Sequence, residues 1–186
     1  MFRGNTLRGQ LIRLTAANPE ADAKAFARWS SDSEFLRLLD GAPARPRSVA
    51  QTKAMLEEEG EGDGNFFFVI RPLDGDQALG HVGLWPKWTH GNAWLGIGIG
   101  DRNYWSKGYG TEALRLILRY GFVELNLHRI SLTVLEGNDR AIRAYEKAGF
   151  VHEGMLREYS RYDGKWYGEV FMGLLREDWL RGRVVE

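Results

Sequence analysis

Residues 104–113 read YWSKGYGTEA, and this stretch decides how the rest of the chain is read. Gly108 and Gly110 stand one residue apart behind Lys107, and Thr111, Glu112 and Ala113 open a helix-friendly run. Glycine-rich turns leading into a helix hold phosphates, because free backbone N–H groups and the positive end of the helix dipole converge there. Several architectures use that arrangement. A Walker loop needs G-x-x-x-x-G-K-[ST], which the chain lacks. GYGTEA does fit the dinucleotide fingerprint G-x-G-x-x-A, with Glu136 roughly where a ribose-binding acid would fall. Against this, DRNYWSK separates the first glycine from the preceding strand, and hairpin strands come first where parallel βαβ units are required. For an isolated G-x-G, a tight loop with no ligand is the simplest reading, so the flanking chain must arbitrate.

Working outward, Leu114, Ile117, Leu118, Gly121 and Leu125 fall at helical spacing, which predicts an amphipathic helix over 111–125. ISLTVL at 130–135 alternates as a strand, and 139–148 reads as a helix stopped by Gly149. Strand candidates at about 154–162 and 168–175 flank Asp163-Gly164, a hairpin signal. On the other side, FFFVI (66–70), ALGHVGLW (78–85) and AWLGIGIG (93–100) predict an antiparallel meander. Leu11 to Leu14 is a short opening strand. Asn18-Pro19 starts a helix with Ala25, Phe26 and Trp29 on its apolar face. After the Pro-rich loop DGAPARPR (40–47), Ser48 and Gln51 form a capping box for a helix that runs into the acidic turn EEEGEGDG. The chain thus reads as α+β, one domain over residues 1–186, with about four helices and a mostly antiparallel sheet of about six or seven strands.

Composition narrows the function. Lys plus Arg equals Asp plus Glu at 25 each, which argues against a general nucleic-acid binder with its basic surplus. The chain has no cysteine, so disulfides, thiolate metal sites and a cysteine nucleophile are excluded. His81, His90, His128 and His152 form no metal-ligand spacing. MFRGNTLRGQLIRL lacks the pattern of a signal peptide, and no apolar run approaches the ~18 residues of a membrane span, so the expected setting is cytoplasmic.

After strand 130–135 comes EGNDRAIRAYEKAGF (136–150). With it, the chain resembles the GNAT superfamily of acetyl-CoA-dependent N-acetyltransferases, and more narrowly the RimJ/RimL-like group. The resemblance runs through LRGQLIRLTAANPEADAKAFARW, YWSKGYGTEALRLILRYGF, LEGNDRAIRAYEKAGF and EGMLREYSRYDGKWYGEVFMGLLREDW, four segments in order over nearly the whole chain. It implies a central sheet splayed in the middle, acetyl-CoA as co-substrate, no metal, and a primary-amine acceptor such as a peptide N-terminus, amino acid or amino sugar. A polyamine acceptor and a non-catalytic acyl-CoA sensor are the alternatives. Relatives that dimerise, with an exposed strand edge here, make a homodimer an expectation.

The family's pyrophosphate loop, Q/R-x-x-G-x-G/A, maps onto Trp105, Ser106, Lys107, Gly108, Tyr109 and Gly110, continuing into Thr111. Trp at the first position is the RimJ/RimL-like departure and shifts the phosphate grip to backbone amides. Lys107 is either a phosphate contact or an exposed loop lysine. The resemblance lays the pantetheine arm along Ile97, Gly98 and Ile99, whose amides would hold the oxyanion. Gly96, Gly98 and Gly100 are unusual within a strand and mark either a close approach or a bend. Asn138 reads as a helix N-cap, to which the resemblance adds a contact to the pantetheine or sulfur. Tyr145 shares a helix face with Ala141, Ile142 and Ala148 as a core residue would, whereas the resemblance makes it the acid that protonates the CoA thiolate. For the general base, strand NAWLGIG carries no glutamate, leaving Glu136, His90 or a water chain.

Overall fold

The computed structural model describes residues 5–61 and 64–183. Seven strands form one sheet: β1 (Ile12–Thr15), β2 (Phe66–Pro72), β3 (Gly80–Lys87), β4 (Asn92–Ile99), β5 (Arg129–Leu135), β6 (Val151–Tyr162) and β7 (Lys165–Leu175). Their spatial order is β1-β2-β3-β4-β5-β7-β6, with β4 and β5 parallel and every other pair antiparallel. The α+β class and the antiparallel meander read from sequence both stand. The β6–β7 turn also forms at Asp163 and Gly164, whose positive φ values of 49° and 78° are what a two-residue primed turn requires.

The helices are α1 (Pro19–Trp29), α2 (Ser33–Leu39), α3 (Val49–Glu61), α4 (Tyr109–Arg119), α5 (Asp139–Lys147) and α6 (Arg176–Arg183). Among the described residues there are six α-helices, against about four expected. The short α2 was missed although Asp32 caps it, its carboxylate accepting from the Phe35 amide at 3.0 Å. α3 continues to Glu61, so the acidic run from Glu57 is helical where a turn was expected, and residues 62–63 lie outside the described part. Residues 1–4 of the stretch read for a signal peptide lie outside it as well. The helix expected over 111–125 starts at Tyr109, and residues 120–124 wind as π-helix.

Two apolar cores cover the two faces of the sheet. α4 buries Ala113, Leu114, Leu116, Ile117 and Leu118 on one face, against residues such as Leu84, Leu95, Ile130 and Leu132. On the other, Ala23, Phe26, Trp29, Phe35 and Leu56 close over Val69. α1 is tied to β2 by a buried fork: Arg71 donates from Nη1 and Nη2 to the two oxygens of Asp22 at 2.9 and 2.7 Å, and from Nε to Thr15 at 2.9 Å. Asp22 also accepts from the Asn18 amide at 2.8 Å. Breaking one side of such a pair leaves the other charge buried and uncompensated. Asp22→Ala is therefore expected to cost about 3 kcal/mol or more, read from urea unfolding, whereas removal of the exposed Lys53–Glu20 pair should leave the urea midpoint nearly unchanged.

Candidate active site

The site begins where two strands part. β4 and β5 pair only through Asn92↔Arg129, Ala93↔Ile130 and Trp94↔Ser131. β5 continues to Leu135 in full register with β7, while Leu95 to Ile99 stay with β3. The gap opens at the carboxyl ends of the parallel pair, the usual position for a ligand in sheets with parallel strands. The amino ends of α4 and α5 both point at it, and a cavity of about 320 Å³ fills it.

The wall from α4 is main chain. Gly108 precedes the helix with φ 88°, a left-handed conformation that glycine adopts freely, and no side chain caps the helix. The first amides of α4 are left without intrahelical acceptors and face the cavity at Gly110 and Thr111. Glu112, in the same turn, is drawn away: its carboxylate accepts from the amides of Gln10, Leu11 and Ile12 at 2.8, 2.7 and 2.8 Å. No bare acid opposes an anion at the helix mouth.

Trp105 braces this loop. Its indole N–H donates to the Ile99 carbonyl at 2.6 Å, and the Arg140 guanidinium lies 3.9 Å from the ring centroid. Arg102, held by both oxygens of Asp32, stands 5.4 Å from the same ring. Asn138 caps α5 by accepting from the Ala141 amide at 3.3 Å, and its Nδ2 donates to the Leu38 carbonyl at 3.4 Å, joining α5 to α2 across the gap. Tyr145 follows two turns later, half-buried, its ring edge-to-face on Phe150 at 5.9 Å. Burial pushes its phenol up to about 12. It is thus a proton donor at neutral pH, not a base.

The structure brings together Ile97, Gly98, Ile99, Trp105, Ser106, Gly108, Gly110, Thr111, Asn138 and Tyr145 around the cavity. Three expected residues are not in its lining. Lys107 is exposed on the loop, Tyr109 packs edge-to-face on Tyr104 at 5.2 Å, and Glu136 is turned toward β7, where its carboxylate accepts from the Gly168 amide at 2.6 Å. His90 lies before the start of β4, at the end of the strand away from the gap. The glycines have a packing reason as well: a Cβ at Gly98 in β4 would come within 2.8 Å of Leu39, and one at Gly100, just after the strand, within 2.1 Å of Trp29. They let α1 and α2 press onto the strand.

Sequence reading missed the other half of the lining. Phe35, Leu38 and Leu39 of α2 form an apolar wall, and Arg140, Arg143 and Lys147 of α5 line the cavity, while no carboxylate does. The cations recur at helical spacing beside Tyr145, a signal present in EGNDRAIRAYEKAGF but masked by the stronger pattern around it. A main-chain cradle, three cations and an apolar trough suit a molecule with phosphates at one end and an uncharged arm at the other.

Comparison with known proteins agrees with that geometry. The acetyltransferase (GNAT) domain model matches residues 12–151. The uncharacterized N-acetyltransferase p20 of Bacillus licheniformis is 30% identical over 173 residues, covering 90% of this chain and 95% of its own. YnaD of Bacillus subtilis, also an uncharacterized N-acetyltransferase, is 29% identical over 85% of this chain and 90% of its own. Among solved structures, a spermidine N-acetyltransferase from Vibrio cholerae in complex with CoA and spermine superposes with a TM-score of 0.79. At 23% identity, over 91% of this chain and 98% of that one, it speaks for the fold alone.

In an alkaline spectrophotometric titration of the native protein, one phenol should ionise near pH 12, above the ordinary value near 10, and vanish from the curve in Tyr145→Phe. Since the unfolded chain releases that proton first, Tyr145 should contribute a loss of stability as pH rises from 10 toward 12, absent in the variant.

Proposed function

We propose a function from one premise: the chain belongs to the acetyltransferase (GNAT) family and is an N-acetyltransferase. On that premise it moves an acetyl group from acetyl-CoA to a primary amine by direct transfer within a ternary complex. The observation that carries this reading is the parting of β4 and β5 beside an uncapped, glycine-led helix end. The α4 amides at Gly110 and Thr111, with Arg140, Arg143 and Lys147, would hold the phosphates. The unpaired edge of Ile97, Gly98 and Ile99 would take the amide-bearing arm as a strand takes a neighbour, and its N–H groups would stabilise the oxyanion. Acetyl-CoA supplies an activated thioester. Tyr145, protonated at neutral pH, would donate its proton to the departing sulfur, whose thiolate form has a pKa near 8.5.

The acceptor must arrive with a neutral nitrogen. A peptide α-amine has pKa about 8, so roughly a tenth is neutral at pH 7, whereas an alkylamine near 10.4 must shed about 3 units of proton affinity. This supports an α-amine or comparable small amine over a polyamine. The acidic run that favoured a polyamine is the exposed end of α3, where Glu57 faces Lys53 at 3.8 Å. The tryptophan at the head of the phosphate loop supports the RimJ/RimL-like subgroup, and the cysteine-free composition a cytoplasmic setting. Exposed Val151, Met155, Leu156 and Tyr159 along edge strand β6 support a homodimer.

Acetyl-CoA at a hundred times its Kd should stabilise the protein by about 2.7 kcal/mol, seen as a raised Tm, while NAD should not. With an amine panel, Tyr145→Phe should lower kcat by about 10²-fold with CoA affinity within about twofold. Tight CoA binding without amine-stimulated thiol release would mean a sensor in place of an enzyme.

A further inference from the structure

The sheet face opposite the α4 core carries a set of side chains that neither apolar core uses. Trp85 and Trp94 stand directly opposite each other on β3 and β4. The Trp85 ring lies over the paired glycines Gly83 and Gly96, where a Cβ would meet it at 2.8 and 3.0 Å. Trp94 is 39% exposed and reaches Phe171 of β7 edge-to-face at 6.3 Å, spanning β5. Three large aromatics thus floor one trough from β3 to β7 outside both cores. Among the described residues no Lys or Arg lies over any of these rings.

Glu169 shares this face, since Val170, Met172 and Leu174 point into the core and Glu169 and Phe171 alternate with them. It is half-buried, yet among the described residues its carboxylate has neither a salt bridge nor a hydrogen bond. Its cross-strand neighbours are Leu135 and Leu156, both uncharged. Of the other charged residues on this face, Arg129 and Glu153 pair with each other beside Gly173, while Lys165, four residues before Glu169 on β7, and Lys87, two beyond Trp85 on β3, are exposed and make no ion pair with Glu169 among the described residues. Arg157 and Glu158, in the irregular part of β6, make no ion pair with Glu169, and Arg37 is engaged with Asp163. The height of Glu169 matters as much as its freedom. Gly98 lies four residues beyond Trp94 and Leu135 four beyond Ser131, so Gly98, Leu135 and Glu169 stand level across the gap. Glu169 is one strand spacing, about 4.8 Å, past Leu135.

We propose that this trough is the acceptor site, that it takes a single primary ammonium carried on an apolar or aromatic body, and that Glu169 removes its proton. The inference rests on the acetyltransferase reading above and names the substrate class for it. The rings offer cation–π and apolar contact, and the one free carboxylate matches one ammonium, not the several of a polyamine. The ammonium gives one proton to Glu169, and the freed nitrogen forms the C–N bond as the C–S bond breaks. Tyr145 protonates the departing sulfur, the nitrogen's second proton restores the Tyr145 phenol, and Glu169 returns the first proton to water, so the net products are amide, thiol and one proton.

Phenylalaninamide, an α-amine of pKa about 8 on an aromatic body, is the probe, with spermidine as contrast. With wild type, acetyl-CoA turnover should favour phenylalaninamide, and this amine should shift the indole N–H signals of Trp85 and Trp94 in the CoA complex. Glu169→Gln should lower kcat/KM about 10²-fold at pH 7 and leave the Kd for CoA within about twofold. At pH 9, where the probe is already neutral, that loss should shrink at least tenfold, and Glu169→Asp should recover part of the activity at pH 7. Unchanged kcat/KM in Glu169→Gln, an equal loss at both pH values, silent indoles, or preference for spermidine would each overturn the proposal. Failure of the wild type to bind CoA would instead overturn the acetyltransferase reading, and the CoA titration separates the two.

Discussion

Everything in the molecule follows from a parallel pair that stops after three residue pairs. Strand backbones left unpaired inside a protein are costly, since each buried N–H or C=O without a partner loses the hydrogen bond it had with water. Here the cost is contained. On one side of the gap β5 is fully paired to β7, and on the other the Ile99 carbonyl is taken by the Trp105 indole. What remains open are the facing edges of β4 beyond Trp94 and β5 beyond Ser131, the first held in place by β3 and pressed from one face by α1 and α2. In the proposed function, a ligand arm with alternating donors and acceptors would complete the sheet there.

The supporting side chains share a common role: most of them hold the main chain instead of facing the ligand. Glu112 fastens the segment before β1 to the first turn of α4, Asn138 links α5 to α2, and Trp105 links the glycine loop to β4. Each anchors one edge of the cavity to a strand or helix on another side of it. The amides that remain free are thereby fixed in direction before any ligand arrives, so little reorganisation is required on binding.

The two faces of the sheet also differ beside the gap. The α5 side presents cations and main-chain amides, which suits phosphates, while the opposite side presents aromatic rings and one unpaired carboxylate. Under the proposal, an anionic donor and a cationic acceptor would be attracted to different mouths of one gap, and the nitrogen, once acetylated, would be neutral and lose its attraction for a carboxylate and for ring faces.

Local signals carried much of this. Asn18-Pro19, the Ser48/Gln51 capping box, the Asp163-Gly164 turn and the alternation of the strands each act through neighbours a few residues away, so they were legible in the chain itself. The glycine loop and the Asn138–Tyr145 helix were legible for the same reason, and they mark the cavity. What the chain could not disclose was which distant residues meet. That Glu136 turns to the Gly168 amide, and that Glu169 stands level with Leu135 and Gly98, depends on strand register that no local signal discloses. The aromatic trough joins β3, β4 and β7, and α2 reaches the site only by folding across β4 and β5. Sequence determined the elements because capping, turn chemistry and periodicity are short-range. The site's second face was decided by tertiary structure, because pairing between strands far apart in the chain sets which side chains share a surface.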